Sequence, residues 1–205
     1  MTTKPHFRKI LVPLLVIFLV STTLLATVNL FTHGKIDKNA RDRELRIIDS
    51  VMPLPHDNDL HEDYITFEGP DISGSNTMTV FRARAQGQPV GAVFMPVTAA
   101  GYNGTVLLVI GIAQDGTLLG VRVLKHHETP GLGDRIEQGK SGWINQFSGR
   151  YLTETANAKW AVKADGGKFD QLSGATITSR GVVNAVRKAL EFYQANRDRI
   201  YLEKR

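Results

Sequence analysis

Residues 10–31 form an uninterrupted run of 22 residues without a charged side chain, dominated by Leu, Val, Ile and Thr. At the rise of an α-helix this run spans about 33 Å, close to the roughly 30 Å of a bilayer core. Pro13 is expected in the first turn, where its missing N–H costs little. A cleaved signal peptide is the alternative, but its apolar run is usually only about 7–15 residues long. The run therefore predicts a retained transmembrane helix over residues 10–32.

Basic residues flank this run on both sides, so they do not decide its orientation. Lys4, Arg8 and Lys9 precede it. A strict count of positive charge would leave the following domain in the cytoplasm, although long domains can be exported regardless of flanking charge. The basic residues that follow the run are Lys35, Lys38, Arg41, Arg43 and Arg46.

The remaining composition argues against several function classes. Three of the 25 basic side chains precede the apolar run, and the other 22 nearly balance the 20 acidic ones. The sequence has no basic stripe with interleaved aromatic residues, so nucleic acid is not an expected partner. It has no cysteine, which excludes disulfides, thiol catalysis and iron–sulfur ligation within this chain.

A charged amphipathic helix is predicted over residues 34–51, ended by Pro53 and Pro55. The polar, acidic residues 56–75 are expected to form a connecting loop. We thus divide the chain into a basic N-terminal segment (1–9), the transmembrane helix (10–32), a charged helix and loop (33–75), and a folded domain (76–205).

Four apolar segments then predict an antiparallel meander. Residues 105–113 are continuously apolar, as expected for a central strand that is buried on both faces. The Asp115-Gly116 pair is typical of a hairpin turn, and the stretch Gly101-Tyr-Asn-Gly104 also predicts a turn. The predicted strands are 79–85, 90–97, 105–113 and 118–125.

The rest of the chain predicts helices and one short strand, which gives an α+β fold. Residues 135–147 predict a short helix with Ile136, Trp143, Ile144 and Phe147 facing inward, and residues 160–163 predict a strand. Residues 177–196 carry apolar side chains at helical spacing, which predicts an amphipathic helix. The inward-facing residues expected on this helix are Val182, Val183, Val186, Ala189, Leu190 and Tyr193.

Residues 126–133, His-His-Glu-Thr-Pro-Gly-Leu-Gly, follow the last predicted strand and are open to several interpretations. His126, His127 and Glu128 are adjacent, so on a strand they cannot all face one metal ion. A helical zinc site would need a second His at position 131, which is Gly. A dinucleotide-binding loop would need a third glycine after Gly133. A simple tight turn is the plainest alternative.

Residues 170–176, Asp-Gln-Leu-Ser-Gly-Ala-Thr, immediately precede the predicted C-terminal helix. Gly174 and Ala175 leave space beside Thr176, and the N-terminus of a helix offers unpaired N–H groups to a phosphate. Thr178 and Ser179 are expected to cap the helix. The same residues could form an ordinary loop and cap. A hydrolase using Ser173 or Thr176 with a histidine is a weaker alternative, because the sequence has no Gly-x-Ser-x-Gly elbow.

Taken together, residues 128–133 and 170–176 resemble the two hallmark sequences of the FMN-binding domain family. The second resembles the acceptor sequence in which FMN is bound through its phosphate to a threonine. Over nearly the whole chain, the order of elements resembles one branch of this family. That branch is the G subunit of the Rnf (Rsx) ion-translocating electron transport complex, and the C subunit of the sodium-translocating NADH:quinone reductase is its relative.

This resemblance implies a cofactor and a set of residues that hold it. FMN would be attached by a phosphoester to Thr176, and Asp170 would belong to the sequence read by a flavin transferase. The glycines of the first hallmark, Gly131 and Gly133, would let the backbone approach the flavin. No residue of the chain would be catalytic on its own, and none would bind a metal. The implied cofactor contacts are Ser173, Gly174, Ala175, Glu128, Thr129, Gly131 and Leu132.

The resemblance also implies partners and a location. The chain would relay electrons among the other subunits of a membrane complex that couples electron flow between ferredoxin and NAD to ion movement. Its domain would lie on the periplasmic side of a bacterial inner membrane, anchored in the lipid bilayer by one span. An anchored assembly subunit without flavin is the alternative from another class, and an FMN-domain sensor is a further one.

Overall fold

The computed structural model describes residues 4–74, 76–152 and 159–202, and the chain divides into two compact units, residues 1–45 and 46–205. Helix α1, Lys4–Ser50, is continuous. The predicted transmembrane helix and the predicted charged helix are therefore one element. The placement of Pro13 in the first turn was wrong, because α1 begins at Lys4 and Pro13 lies in its interior.

The apolar part of α1 has the properties of a membrane span. Lys9–Thr32 is long and apolar enough to cross a bilayer, and its residues are exposed. Two of its hydroxyl groups are bonded within the helix: Thr22 Oγ1 donates to the Phe18 carbonyl (2.8 Å) and Thr27 Oγ1 to the Thr23 carbonyl (2.7 Å). Such internal bonding is what a hydrocarbon environment requires, because it offers no water as a partner.

The second unit is built on an antiparallel sheet whose five strands follow one another in chain order. The predicted four-strand meander is confirmed. The structure adds an edge strand, β1, in the segment predicted to be a loop. That strand is short and polar on one side, so its sequence resembles a loop. The strands are β1 (Tyr64–Glu68), β2 (Thr77–Ala85), β3 (Gln88–Gly101), β4 (Gly104–Ala113) and β5 (Leu118–Lys125).

Both faces of the sheet are covered, which explains the continuous apolar sequence of β4. On one face, Val109 packs with Ile48, Val51 and Met52 from the end of α1 and the residues after it. On the other face, Leu108 and other β4 residues pack with the C-terminal helix α2, Thr176–Leu202. All six residues expected on the inward face of this helix are buried.

Two further predictions of secondary structure needed correction. The segment predicted as one helix forms two 3₁₀ turns, Gly133–Ile136 and Trp143–Phe147, which bury Ile136, Ile144 and Phe147 and leave Trp143 half-buried. The predicted strand at residues 160–163 is a single parallel bridge between Val162 and Phe169, because a 3₁₀ turn, Lys163–Asp165, begins directly after it.

Two arginines of β2 hold the C-terminal end of α2 against the sheet. Arg82 Nη1 donates to the Ile200 carbonyl (3.4 Å), and Arg84 Nη2 donates to the Tyr201 carbonyl (3.2 Å). These carbonyls lie in the last described turn of the helix. Asp63 forms ion pairs with both guanidinium groups. The helix is thereby fixed at the end that lies away from Thr176.

In its second turn, at Gly181, α2 approaches β3 so closely that only glycine fits. A Cβ atom placed on Gly181 would lie 1.7 Å from the Ala100 carbonyl oxygen, which belongs to the backbone and cannot rotate away. We therefore predict that Gly181→Ala destabilises the fold by about 3 kcal/mol or more. At an exposed helix position the same change would stabilise the fold by about 1 kcal/mol. The sign of the change in the free energy of unfolding therefore shows whether Gly181 contacts the β3 backbone.

Chemical denaturation of the second unit measures this effect. Lys188→Ala, on the exposed side of the same helix, is the matched control and should change the free energy of unfolding by less than about 0.5 kcal/mol. Equal stability of Gly181→Ala and the unaltered chain would show that the helix does not press on β3 as described.

Candidate functional site

Three segments meet around a cavity of about 450 Å³ at one end of the strands β3, β4 and β5. They are the β3–β4 turn, the loop after β5, and the first turn of α2 with the residues before it. The volume lies within the range of roughly 300–1,000 Å³ that is usual for small-molecule sites. The cavity is lined by Tyr102, Glu128, Thr129, Leu132, Gly133, Gly174, Ala175, Thr176, Ile177 and Thr178.

The fold brings the two hallmark sequences to this one cavity, although about forty residues separate them. The predicted attachment residue Thr176 and five of the seven predicted contact residues line it, whereas Gly131 and Ser173 do not. Gly133, whose backbone was predicted to approach the flavin, lines it as well. Three lining residues were not predicted as contacts: Tyr102, Ile177 and Thr178. The Gly101-Tyr-Asn-Gly104 pattern did predict the turn that carries Tyr102, but a turn signal says nothing about which cavity it borders. The predicted residues that line the cavity are Glu128, Thr129, Leu132, Gly133, Gly174, Ala175 and Thr176.

Thr176 is the first residue of α2. The Ala175 carbonyl accepts the first helical hydrogen bond from the Ser179 N–H (3.0 Å), and the Ala175 N–H donates to the Leu172 carbonyl (3.0 Å). Ala175 is therefore the cap position, and the prediction that Thr178 and Ser179 cap the helix was wrong because both lie inside the first turn. Instead, Ser179 Oγ accepts from the Leu172 N–H (3.0 Å) and donates to the Ala175 carbonyl (2.9 Å).

Backbone donors are available beside the Thr176 side chain. Within the described residues, the N–H groups of Thr176, Ile177 and Thr178 have no hydrogen-bond acceptor. Thr176 is half-buried, and its hydroxyl likewise has no partner there. Together with the helix dipole, these three N–H groups favour an anion at this position.

Gly174 lets the chain pass close to Leu132 on its way into α2. Its φ of +78° lies in the left-handed region, and a Cβ atom there would be 3.0 Å from Leu132 Cδ2. A side chain at this position would thus be both strained and crowded. The glycine holds the two hallmark sequences in contact across the cavity.

Glu128 is a buried carboxylate with a donor on each oxygen. Oε1 accepts from the Asn103 N–H (3.0 Å) and Oε2 accepts from Thr178 Oγ1 (2.5 Å). The Glu128 N–H donates to His126 Nδ1 (3.0 Å), and Asn103 Nδ2 donates to Thr129 Oγ1 (3.1 Å). The side chain is 6% exposed, so little of it is left for contact with solvent.

A network of charged side chains supports the loop after β5. Glu137 Oε1 lies 2.8 Å from both His126 Nε2 and Lys140 Nζ, and Lys140 Nζ lies 3.0 Å from Asp134 Oδ2. The hydrogen bond from Lys140, and then the one from His126, lower the pKa of Glu137 below its ordinary value. The hydrogen bond from Lys140 also lowers the pKa of Asp134.

Asp170 lies outside the cavity, on a segment whose backbone is held by hydrogen bonds to side chains. The Asp170 carbonyl accepts from Trp143 Nε1 (2.7 Å), and its N–H donates to Gln146 Oε1 (2.8 Å). Its carboxylate is paired with Lys163 Nζ (2.6 Å) and is 67% exposed. A second protein could therefore reach this carboxylate without disturbing the fold.

Comparison with known proteins identifies the class to which this fold and cavity belong. The sequence profile described as the FMN-binding domain matches residues 101–191, which include both hallmark sequences. The crystal structure of the C subunit of the Na⁺-translocating NADH-quinone reductase from Parabacteroides distasonis has the same fold. It covers 78% of this chain and 94% of its own, with a TM-score of 0.55 and 22% identity. The chain thus contains an FMN-binding domain, preceded by one helix that is long and apolar enough to cross a membrane.

Closer relatives give the particular family. The G subunit of the ion-translocating oxidoreductase complex of Salmonella typhi is 44% identical over 82% of each chain. The protein of the same name from Pseudomonas aeruginosa (strain UCBPP-PA14) is 42% identical over 89% of this chain and 86% of its own. The chain belongs to the family of G subunits of ion-translocating oxidoreductase complexes, as the sequence resemblance predicted.

The close packing of Gly133 against Glu128 generates a prediction. A Cβ atom on Gly133 would lie 2.3 Å from Glu128 Oε2 and 2.9 Å from Glu128 Cβ, and both oxygens of that carboxylate are held by hydrogen bonds. We expect Gly133→Ala to lower the free energy of unfolding by about 1–3 kcal/mol. Gly139→Ala, where nothing lies within 4 Å, is the control and should be nearly neutral. Chemical denaturation distinguishes the two, and equal stabilities would contradict the packing.

The charged network generates a prediction about pH. Because the folded-state pKa values of Glu137 and Asp134 are lowered, their pairing stabilises the fold above their ordinary values of 4.5 and 3.8. The contribution is lost as the pH falls through the lowered values. Lys140→Met should therefore be less stable than the unaltered chain at pH 7, and the difference should shrink on acidification. Thermal unfolding from pH 7 to pH 3 measures this, with Lys188→Met as the control. A difference that does not vary with pH would contradict it.

Proposed function

We propose that this chain carries FMN bound covalently through its phosphate to the Thr176 hydroxyl, and that it relays electrons within an ion-translocating oxidoreductase complex. The observation that carries the proposal is the position of Thr176. Its unpartnered hydroxyl stands at the N-terminus of α2 and opens on the cavity formed by the two hallmark sequences. Membership of the family of G subunits supports the same conclusion.

The residues at the cavity fit both the phosphate group and the ring system of FMN. The unpaired N–H groups of residues 176–178 suit a phosphoester, which keeps one negative charge after attachment. Tyr102, Leu132 and Ile177 line the cavity with exposures of 68%, 45% and 51%, which is unusual for large apolar side chains. A flat, largely apolar ring lying against them would cover this surface and exclude water from it.

The chain supplies position and electrostatics, while FMN supplies the chemistry of accepting and releasing one or two electrons. Thr176 fixes the attachment point at a rigid helix terminus, and Gly174 lets Leu132 approach the same cavity. Thr129 and Leu132 remain the proposed polar and apolar contacts from the first hallmark. Covalent attachment prevents loss of the cofactor by dissociation and keeps it within reach of its redox partners.

A flavin transferase is the proposed partner for maturation. It would transfer FMN from FAD to Thr176: the hydroxyl oxygen, losing its proton, forms a bond to the flavin-side phosphorus, the pyrophosphate P–O bond breaks, and AMP leaves. It would also read the preceding residues. The exposure of Asp170 and Ser173 on a segment with a pinned backbone supports such recognition. These residues need not line the cavity to serve this role, which is consistent with their position outside it.

The other proposed partners are the remaining subunits of the complex and the lipid bilayer. A single apolar helix was found among the described residues, and one helix by itself cannot enclose an ion path. We therefore assign the chain to electron transfer between ferredoxin-linked and NAD-linked subunits and leave ion movement to the others. We place the domain on the periplasmic side of the inner membrane, where a tethered cofactor cannot be lost to its surroundings.

Intact-mass spectrometry tests the attachment. The full chain, co-expressed with a flavin transferase, should gain the mass of one FMN and fluoresce on a denaturing gel. Thr176→Val should abolish both signals because it removes the hydroxyl and keeps the shape. Thr105→Val, on an exposed residue of β4, is the control and should retain them. A colourless unaltered chain of unmodified mass would instead support an assembly subunit without flavin.

A further inference from the structure

We propose that Glu128 is a positioning residue, whose carboxylate holds the three segments around the cavity at a fixed spacing and does not act as a direct contact to the flavin. The inference rests on the proposed function only in taking this cavity as the FMN site. It replaces the expectation that Glu128 supplies a polar contact to the cofactor.

Each contact of Glu128 reaches a different segment. Its Oε1 holds the β3–β4 turn through the Asn103 N–H, and its Oε2 holds the first turn of α2 through Thr178 Oγ1. Glu128 itself belongs to the loop after β5, where its N–H is bonded to His126 Nδ1. One side chain thus connects all three walls of the cavity, and both of its oxygens are already occupied by protein donors.

Two glycines provide the space for this carboxylate. A Cβ atom on Gly101 would lie 2.4 Å from Oε1, and a Cβ atom on Gly133 would lie 2.3 Å from Oε2. Neither residue has a positive φ, so backbone conformation does not require glycine at these positions. The requirement is steric. At Gly133 it arises from Glu128 alone, and at Gly101 Glu128 shares it with the Gly104 carbonyl oxygen, which would lie 2.6 Å from the added Cβ atom. The carboxylate of Glu128 therefore explains the glycine at the end of the first hallmark and contributes to the need for one at the start of the turn.

The tautomer of His126, meaning which ring nitrogen carries the proton, is consistent with this arrangement. Because Nδ1 accepts from the Glu128 N–H, the ring proton lies on Nε2 and is donated to Glu137 Oε1 (2.8 Å). The histidine thereby joins Glu128 to the charged network of Glu137, Lys140 and Asp134. Glu128, which we call the brace, is therefore held by its own loop as well as by the two segments that it contacts.

The substitution Glu128→Gln separates positioning from charge. A glutamine side chain has the same shape; its carbonyl oxygen can accept from the Asn103 N–H, and its NH₂ group can donate to Thr178 Oγ1. Glu128→Ala loses both bonds. If Glu128 acts as a brace, the glutamine variant keeps the three segments around the cavity at their spacing, and the alanine variant does not. If the charge acts directly on the flavin, the glutamine variant shifts the midpoint potential or the absorption spectrum of the flavin.

Amide hydrogen exchange on the full chain without attached flavin tests the brace independently of the cofactor. Glu128→Ala should raise exchange at the hydrogen-bonded amides of Asn103, Leu132, Asp134 and Ser179 by about tenfold or more, because a lost charged hydrogen bond is equivalent to at least that factor. Glu128→Gln should remain within about twofold of the unaltered chain. The amides of β2 are the internal control and should not change in either variant.

A second pair of variants tests the proposal even if Glu128→Ala fails to fold. Thr178→Val removes only the bond to Oε2 and should raise exchange at the amides of Leu132, Asp134 and Ser179, while the Asn103 amide keeps its protection. Thr178→Ser retains the hydroxyl and should behave as the unaltered chain. Unchanged exchange in Thr178→Val would overturn the proposal.

The flavin-loaded chain provides the last readout. Under the proposal, Glu128→Gln carries the normal amount of FMN, with an unchanged absorption spectrum and midpoint potential. A shifted potential in Glu128→Gln with unchanged amide exchange would overturn the proposal in favour of a direct electrostatic contact. Because amide exchange is measured without flavin, a chain that never acquires FMN would contradict the proposed function and leave the test of the brace intact.

Discussion

The packing of α2 across the sheet is the interaction on which the site depends. The helix is fixed at three points: Arg82 and Arg84 bind carbonyls in its last described turn, Gly181 lies against the β3 backbone, and Thr178 is bonded to Glu128. None of these contacts involves Thr176, yet together they determine where its hydroxyl stands. A helix fixed in this way presents its N-terminus as a rigid platform, whereas a reactive residue on a loop would move with the loop.

The opposite face of the sheet is covered by a short segment at the start of the second unit. A Cβ atom on Gly111 would lie 1.9 Å from the Val51 carbonyl oxygen, so β4 accepts this segment at backbone contact. Val51 and Met52 are buried there with Ile48. The central strand is thus enclosed between two layers, which fixes the turn at its start and, through that turn, one wall of the cavity.

Most of the fold could be predicted from local sequence, and the omissions have a common physical cause. The strands and α2 have a strong apolar periodicity, and both hallmark sequences were identified from their residue order. Strand β1 was missed because its pairing depends on β2, and the 3₁₀ turns were read as one helix because their buried residues recur at similar intervals. Gly101 was predicted as a turn residue, but its role beside a carboxylate 27 positions away depends on the tertiary structure.

The distribution of donors at the N-terminus of α2 explains how one site can accommodate two negative groups. A buried carboxylate and a phosphoester would compete if both required the backbone N–H groups of the first turn. The structure avoids this competition, because Glu128 is bonded to the Thr178 hydroxyl and to the Asn103 N–H from a different segment. The N–H groups of residues 176–178 are left to the proposed phosphoester. The carboxylate can therefore shape the cavity without weakening the anion site beside it.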